Sequence, residues 1–252
     1  MTKRGIAVCL LFAVLFLSIQ EAYGQERRKS PPGRRRATSG NYTFSGAGGG
    51  FLFFGTSLDL SPINPDVEKM GISPMKENLI GEGGYGFAYF SKYMKLGGMG
   101  GGGTVSSSGE VDGVEKGVDF SFSFGGPLIE FSTTVAKRLE LFAGGAVLFG
   151  SVSVSLSRED APLVWDDVWD YYQTGGTLLP YSTTELTCSY WGPYIYGGTR
   201  INILRWFAVG GQVGFLKGFM EDNWEIGELK LNNGPEYKLE NLLWQVHFTF
   251  GG

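Results

Sequence analysis

Few side chains in this 252-residue sequence can carry chemistry. It has one histidine, His247, and hydrolytic or acyl-transfer work by a histidine needs a serine or carboxylate held beside it. His247 stands three residues before Phe250, inside an alternating aromatic run. A phosphate cradle is also excluded, because the glycine run Gly97 to Gly103 lacks the lysine and the strand-to-helix setting that such a loop requires. Of the two cysteines, Cys9 lies in an N-terminal apolar run and Cys188 is left alone, so no internal disulfide and no functional thiol is expected. No catalytic residue, metal site or cofactor is expected. Polar residues spaced within apolar strands are a different matter. Glu82, Asp119, Glu130, Arg200, Gln212, Gln245 and His247 share a phase that directs them to one side of their strands, with Arg200 and Glu130 as the first pair.

A second cluster spans 157–185, where Trp165, Asp166, Asp167, Trp169 and Asp170 interleave aromatic and acidic side chains. Their spacing fits one short amphipathic helix with the aspartates on its far side. Such a surface suits a divalent cation or an extracellular partner, or simply packs on the rim of the fold.

The elements that must position these residues follow from composition. With 41 glycines, helix interiors would lose roughly 1 kcal/mol per glycine relative to alanine, so an all-helical fold is improbable. Charged residues make up 18% and hydrophobic ones 42%, which excludes a disordered chain. Residues 1–24 read as a cleaved signal peptide: Lys3 and Arg4, an apolar core from Ile6 to Leu17, and the small-residue site Ala22-Tyr23-Gly24. Residues 25–41 form a basic flexible segment, with Arg27, Arg28, Lys29, Arg34, Arg35 and Arg36 around Pro31-Pro32-Gly33. The remainder is then more acidic than the overall net charge of −4, and nucleic acid is not an expected partner.

From Tyr42 the pattern has period two, in eight stretches: 42–55, 80–93, 96–107, 118–135, 139–156, 186–201, 206–219 and 243–250. In the fourth, Phe120, Phe122 and Phe124 alternate with Asp119, Ser121 and Ser123 until Gly125-Gly126-Pro127, where a bulge is expected to switch the phase and turn Glu130 inward. Short links near 91–96, 136–138 and 202–205 carry lysine and arginine without acids. Long loops near 56–79, 108–117, 157–185 and 220–236 hold most of the acids. Alternating short and long connectors are the pattern of an up-and-down barrel whose two ends face different environments. Closure leaves no unpaired backbone edge, which hydrocarbon requires. The expected fold for 42–250 is therefore all-β: an eight-stranded antiparallel up-and-down transmembrane β-barrel with both termini on the periplasmic side.

On these stretches, the connectors and the last strand, the chain resembles the small eight-stranded outer-membrane barrels of Gram-negative-type bacteria, the group that includes the OmpA transmembrane domain, OmpX and OmpW. The final alternation of Trp244, Val246, Phe248 and Phe250 resembles the C-terminal signal read by the barrel assembly machinery in that group, with Gly251-Gly252 as a departure from its usual ending. The resemblance implies the bacterial outer membrane as location, outer-membrane lipid and the assembly machinery as partners, and a structural or surface-interaction role. A narrow channel for a small hydrophobic solute is the alternative that the OmpW likeness implies. A soluble exported ligand-binding barrel is the second alternative, since periodicity does not say which face of a strand is wet.

Overall fold

A computed structural model describes residues 46–91, 93–160, 181–221, 223–231 and 234–251. The expected leader, the basic segment, Tyr42 and Phe44, and the whole Trp165, Asp166, Asp167, Trp169 and Asp170 cluster lie outside the described residues.

Eight long strands account for most of the rest: β1 Ala47–Ser57, β2 Asn78–Tyr89, β3 Met94–Val111, β4 Val114–Thr134, β5 Leu139–Glu159, β6 Tyr181–Asn202, β7 Phe207–Met220 and β10 Leu239–Gly251. Each pairs antiparallel with its sequence neighbour from β1 through β7, β7 pairs with β10, and β1 pairs with β10, which closes the ring. Closure gives every strand two partners, so the glycine-rich β3, whose side chains contribute little cohesion, is held by its ladders to β2 and β4.

One end of the barrel is closed by three similar tight links, 90–93, 135–138 and 203–206. Each is tied across its base by a backbone bond, Phe90 N–H to the Met94 carbonyl at 2.9 Å, Val135 to Leu139 at 3.0 Å and Ile203 to Phe207 at 3.0 Å. At the other end β3, β4, β5 and β6 run on past their neighbours, with 18, 21, 21 and 22 residues against 11 to 14 in the other four strands. They form a four-stranded sheet projecting from one side of the rim. Its edge at β6 is covered by a small hairpin, β8 Glu225–Ile226 with β9 Leu229–Lys230, through the pair Thr187 and Glu225.

Residues 108–117 do not form a long loop. The β3–β4 ladder continues to the pair Val111 and Val114, and the chain reverses through Asp112 (φ 54°) and Gly113 (φ 80°). Two consecutive left-handed residues match the right-handed twist of a hairpin, and Asp-Gly is the dipeptide that tolerates them. The bulge expected at Gly125-Gly126-Pro127 is also absent. The register with β3 runs unbroken from Met94 and Phe131 to Val111 and Val114, and even-numbered β4 residues face inward throughout.

The 58–77 connection carries the helix α1 Asn64–Lys69. Asn64 pins it to the returning chain, its Nδ2 donating to the Met75 carbonyl (3.2 Å) and its Oδ1 accepting from Met75 N–H (2.9 Å). Leu58, Leu60, Ile63, Val67, Ile72 and Met75 are buried against the inner face of the projecting sheet. The barrel interior and this cap form one hydrophobic cluster. Burying these side chains stabilises by roughly 1.5–3 kcal/mol each as an upper bound.

Candidate functional site

The interior is stacked in layers, and strand register sets each one. Nearest the short links, Lys95 on β3 stands directly opposite Glu130 on β4, and Glu140 on β5 directly opposite Arg200 on β6. The two cross-strand pairs meet across the lumen. Lys95 Nζ donates to Glu130 Oε1 (2.9 Å) and Glu140 Oε1 (2.6 Å), while Arg200 Nη1 donates to the same two oxygens at 3.2 and 3.3 Å and Nη2 to Glu130 Oε2 at 3.3 Å. Two cations and two carboxylates, all under 7% exposed, alternate in one ring of zero net charge. Aromatic faces complete it: Phe142 lies 4.6 Å from Arg200 Cζ, and Phe87 and Tyr89 lie 5.1 and 5.2 Å from Lys95 Nζ.

The next layer is neutral and polar. Gln212 Nε2 donates to Gln245 Oε1 (2.8 Å), and Gln245 Nε2 donates to the Tyr194 hydroxyl (3.2 Å). Tyr85 is hydrogen-bonded to Thr249, and His247 sits between the rings of Tyr85 and Phe142 at 5.6 and 5.5 Å. A cavity of about 20 Å³ separates these two layers, with Glu130, Arg200, Gln245 and His247 in its wall; that is the space of a single water. Arg200 Nε and His247 Nε2 find no hydrogen-bond partner among the described residues.

Above the glutamines the interior is apolar, with Phe54, Phe120, Phe122, Leu148, Val152 and Leu216 all at most 1% exposed. Phe54 packs edge-on against Phe122 and Phe124 at 6.3 and 5.1 Å, and Phe122 stacks on Tyr190 at 5.9 Å. Trp224 and Tyr237 close the top beside α1. Burial pushes the Tyr237 phenol up, and the Asp59 carboxylate adds to the shift. Cys188, buried in the projecting part of β6, has its thiol pushed up by burial and then by the Glu221 carboxylate.

Of the polar residues assigned to the interior by sequence phase, the structure brings together Glu130, Arg200, Gln212, Gln245 and His247. Glu82 and Asp119 are not among them; both are exposed on the outer face. Asp119 points out because the Phe120, Phe122 and Phe124 row fills the interior, and with no bulge the phase never switches. Glu82 points out because its neighbours Gly81 and Gly83 take the inward positions, where a Cβ would come within 2.4 Å of Phe54 and 2.1 Å of the Gly100 carbonyl. Lys95 and Glu140 escaped sequence reasoning. Lys95 reads in the sequence as one of the lysines of the 91–96 link and Glu140 as an ordinary strand residue, but each lies one residue inside its strand and is buried. The available signal was phase, since both sit in register with inward neighbours Gly97 and Phe142.

The outer face has two zones. Counting from the short links, about the first ten residues of each strand present apolar or small outward side chains: Phe51 and Phe53 on β1, Ile129 and Phe131 on β4, Leu141, Val147 and Phe149 on β5, Ile201, Ile195 and Trp191 on β6, Val213 and Phe215 on β7. On β10 they are Phe250, Phe248, Val246, Trp244 and Leu242. Glu82 interrupts this zone near its upper limit, beside Phe53 in the ladder. Beyond it the outward residues turn polar at one level on adjacent strands, Phe149 and Trp191 giving way to Ser151 and Ser189.

No family model matches the chain, and no curated protein matches it in sequence. Several solved structures are similar in fold, three of them as follows. Ail, the attachment invasion locus protein of Yersinia pestis, solved in complex with the heparin analogue sucrose octasulfate, is 9% identical, with 82% of this chain and 98% of that chain covered and a TM-score of 0.40. The outer membrane protein OprG from Pseudomonas aeruginosa is 12% identical over 84% of this chain and 97% of its own, with a TM-score of 0.42. CarO of Acinetobacter baumannii is 16% identical over 85% and 100%, with a TM-score of 0.37. At such identities, what this chain does has to come from its own residues.

Proposed function

We propose that the chain is a bacterial outer-membrane β-barrel that stands in the membrane as a sealed post and presents its projecting sheet and long connections to the exterior, in a structural or surface-interaction role. One observation carries this reading: a belt of outward apolar side chains about ten residues tall surrounds an interior packed from the ion ring to α1. Ten residues of a strand tilted by about 40° climb roughly 25 Å, the height of the apolar band of such barrels. Tyr93 and Trp206 stand at its lower limit and Trp191 at its upper limit, with Phe90, Phe250, Phe149 and Phe219 beside them, and the amphipathic rings of Tyr and Trp favour membrane interfaces. A soluble barrel would leave this belt in water.

The short links and both ends of the barrel chain then lie on the periplasmic side. Trp244, Val246, Phe248 and Phe250 face lipid as one row and serve as the signal to the assembly machinery. We assign no catalytic activity, since His247 is enclosed between aromatic rings in the interior. The solute-channel reading finds no support in an interior whose described cavity holds one water.

The test is direct. Full mature chain refolded in detergent should show a boiling-dependent shift in electrophoretic mobility with strand-rich circular dichroism, and planar bilayers containing it should stay silent. Solubility without detergent and no mobility shift would overturn the membrane reading. Stable conductance steps, abolished by heat unfolding, would overturn the sealed interior.

A further inference from the structure

Inside the barrel, three residues stand in line across adjacent strands: Arg200 on β6 and His247 on β10 are each directly opposite Gly210 on β7. Adjacent strands lie about 4.8 Å apart, so the bare glycine leaves a gap between two polar side chains. Arg200 is 1% exposed and His247 3%. Each keeps one nitrogen in reserve. Arg200 commits Nη1 and Nη2 to Glu130 and Glu140, while its Nε–H meets no acceptor among the described residues. His247 Nε2 leans over Gly210, where a side-chain carbon would collide with it, and it too has no hydrogen-bond partner among the described residues.

Both residues wall the cavity of about 20 Å³ between the ion ring and the glutamine layer. Folded proteins leave few buried polar groups unpaired, and two such nitrogens in one wall point to a shared guest. The wall also selects that guest. Its volume admits one water and nothing of several heavy atoms. The Arg200 charge repels a cation. An anion would face the Glu130 carboxylate in the same wall, beside a ring whose charges already balance. Leu52, Met99 and Leu128 supply an apolar part of the wall, but an apolar guest would leave both nitrogens unpaired.

We propose that this cavity is a binding site for one structural water that bridges Arg200 to His247. The water accepts from Arg200 Nε–H and donates to His247 Nε2. Its second hydrogen goes to Glu130 Oε2, which takes one bond in the ring, from Arg200 Nη2. Three bonds are the usual complement of a buried water. His247 is then the neutral imidazole with its proton on Nδ1. The bridge carries the hydrogen-bonded network of the ring into the next layer, and it gives position 210 a second reason to be glycine. It goes beyond the sealed interior and does not depend on what surrounds the barrel.

The test uses the full mature chain, isotope-labelled on arginine and histidine and refolded into phosphatidylcholine bilayers, with magnetisation transfer from water read by solid-state magnetic resonance. Arg200 Hε should receive transfer from a slowly exchanging water, and His247 should carry its proton on Nδ1. His247→Phe keeps a ring between Tyr85 and Phe142 but removes the acceptor. Transfer to Arg200 Hε should then fall to background while the boiling-dependent mobility shift is unchanged. His247→Gln, whose amide oxygen accepts in place of the imidazole, should retain the transfer. Crystals of the parent should show one ordered water about 2.7–3.2 Å from both nitrogens. Absence of transfer in the folded parent, or transfer undiminished in folded His247→Phe, would overturn the water site. So would an anomalous peak in the cavity of crystals grown in bromide, which would assign it to an anion. None of these results bears on the membrane reading, which fails only if the chain does not enter bilayers.

Discussion

Replacing Arg200 by methionine tests the ion ring most sharply. Arg200 is 1% exposed and contacts both Glu130 and Glu140, whose other cation is Lys95. Methionine retains much of the side-chain volume against Phe142, so packing loss is small, but two buried carboxylates are then left with one lysine. An uncompensated buried charge costs about 3–5 kcal/mol. Adding Glu130→Gln restores neutrality, because Lys95 and Glu140 remain paired at 2.6 Å. The double variant should therefore recover about 2 kcal/mol or more of the loss, a coupling far beyond additivity. The assay is reversible urea unfolding of the bilayer-inserted protein followed by tryptophan fluorescence. A loss below about 1 kcal/mol in Arg200→Met, or a double variant no more stable than the single, would refute the account of the ring as a charge-balanced unit.

Glycine positions separate a packed interior from an open one. A Cβ at Gly210 would stand 2.0 Å from His247 Nε2 and at Gly214 2.5 Å from the Tyr194 ring, whereas at the outward Gly211 the nearest atom is 3.8 Å away. Gly210→Ala should thus cost at least about 2 kcal/mol and Gly211→Ala within about 0.5 kcal/mol in the same unfolding assay. Phe250→Asp removes a ring packed on Trp206, Phe207 and Phe51 and puts a charge in the lipid-facing row. It should destabilise by about 1–3 kcal/mol and reduce the heat-modifiable form recovered from the outer membrane, and normal recovery would count against the outward orientation of β10. For Cys188, a thiol raised by burial and by Glu221 carries less thiolate at pH 8 than a free one. Maleimide labelling should accordingly be slow in the folded barrel and fast in urea, and equal rates would contradict its burial.

Much of the architecture was legible in the residues. Eight alternating stretches and the three short links are local properties, and so is the outward row of Trp244, Val246, Phe248 and Phe250 opposite Gln245 and His247, because on that strand one face meets lipid and the other meets polar groups, whereas the long loop expected at 108–117 is a tight hairpin. The Asp112-Gly113 reversal was legible as well, in a dipeptide suited to two left-handed residues, although the acidic residues around it read as a loop.

What the tertiary structure alone decided is which face is dry at each height. Along β5 the even residues Phe142, Leu148 and Val152 face in throughout, while the odd ones change from Val147 and Phe149 to Ser151 and Ser153. Inside the belt both faces carry apolar side chains, Phe142 and Leu148 inward and Val147 and Phe149 outward; beyond it, apolar means inward, beneath the cap of α1. The strand keeps its phase and only its outward face changes, from apolar to polar, which is why Asp119 lies outside and Phe120 within. That boundary belongs to no strand. It is set by where eight strands of unequal length align around the ring, as are the meetings of Lys95 with Glu140 and of Arg200 with Glu130, between residues 45 and 70 positions apart in the chain. Period two sorts the side chains of a strand into two faces, and only closure of the barrel determines what lies against each.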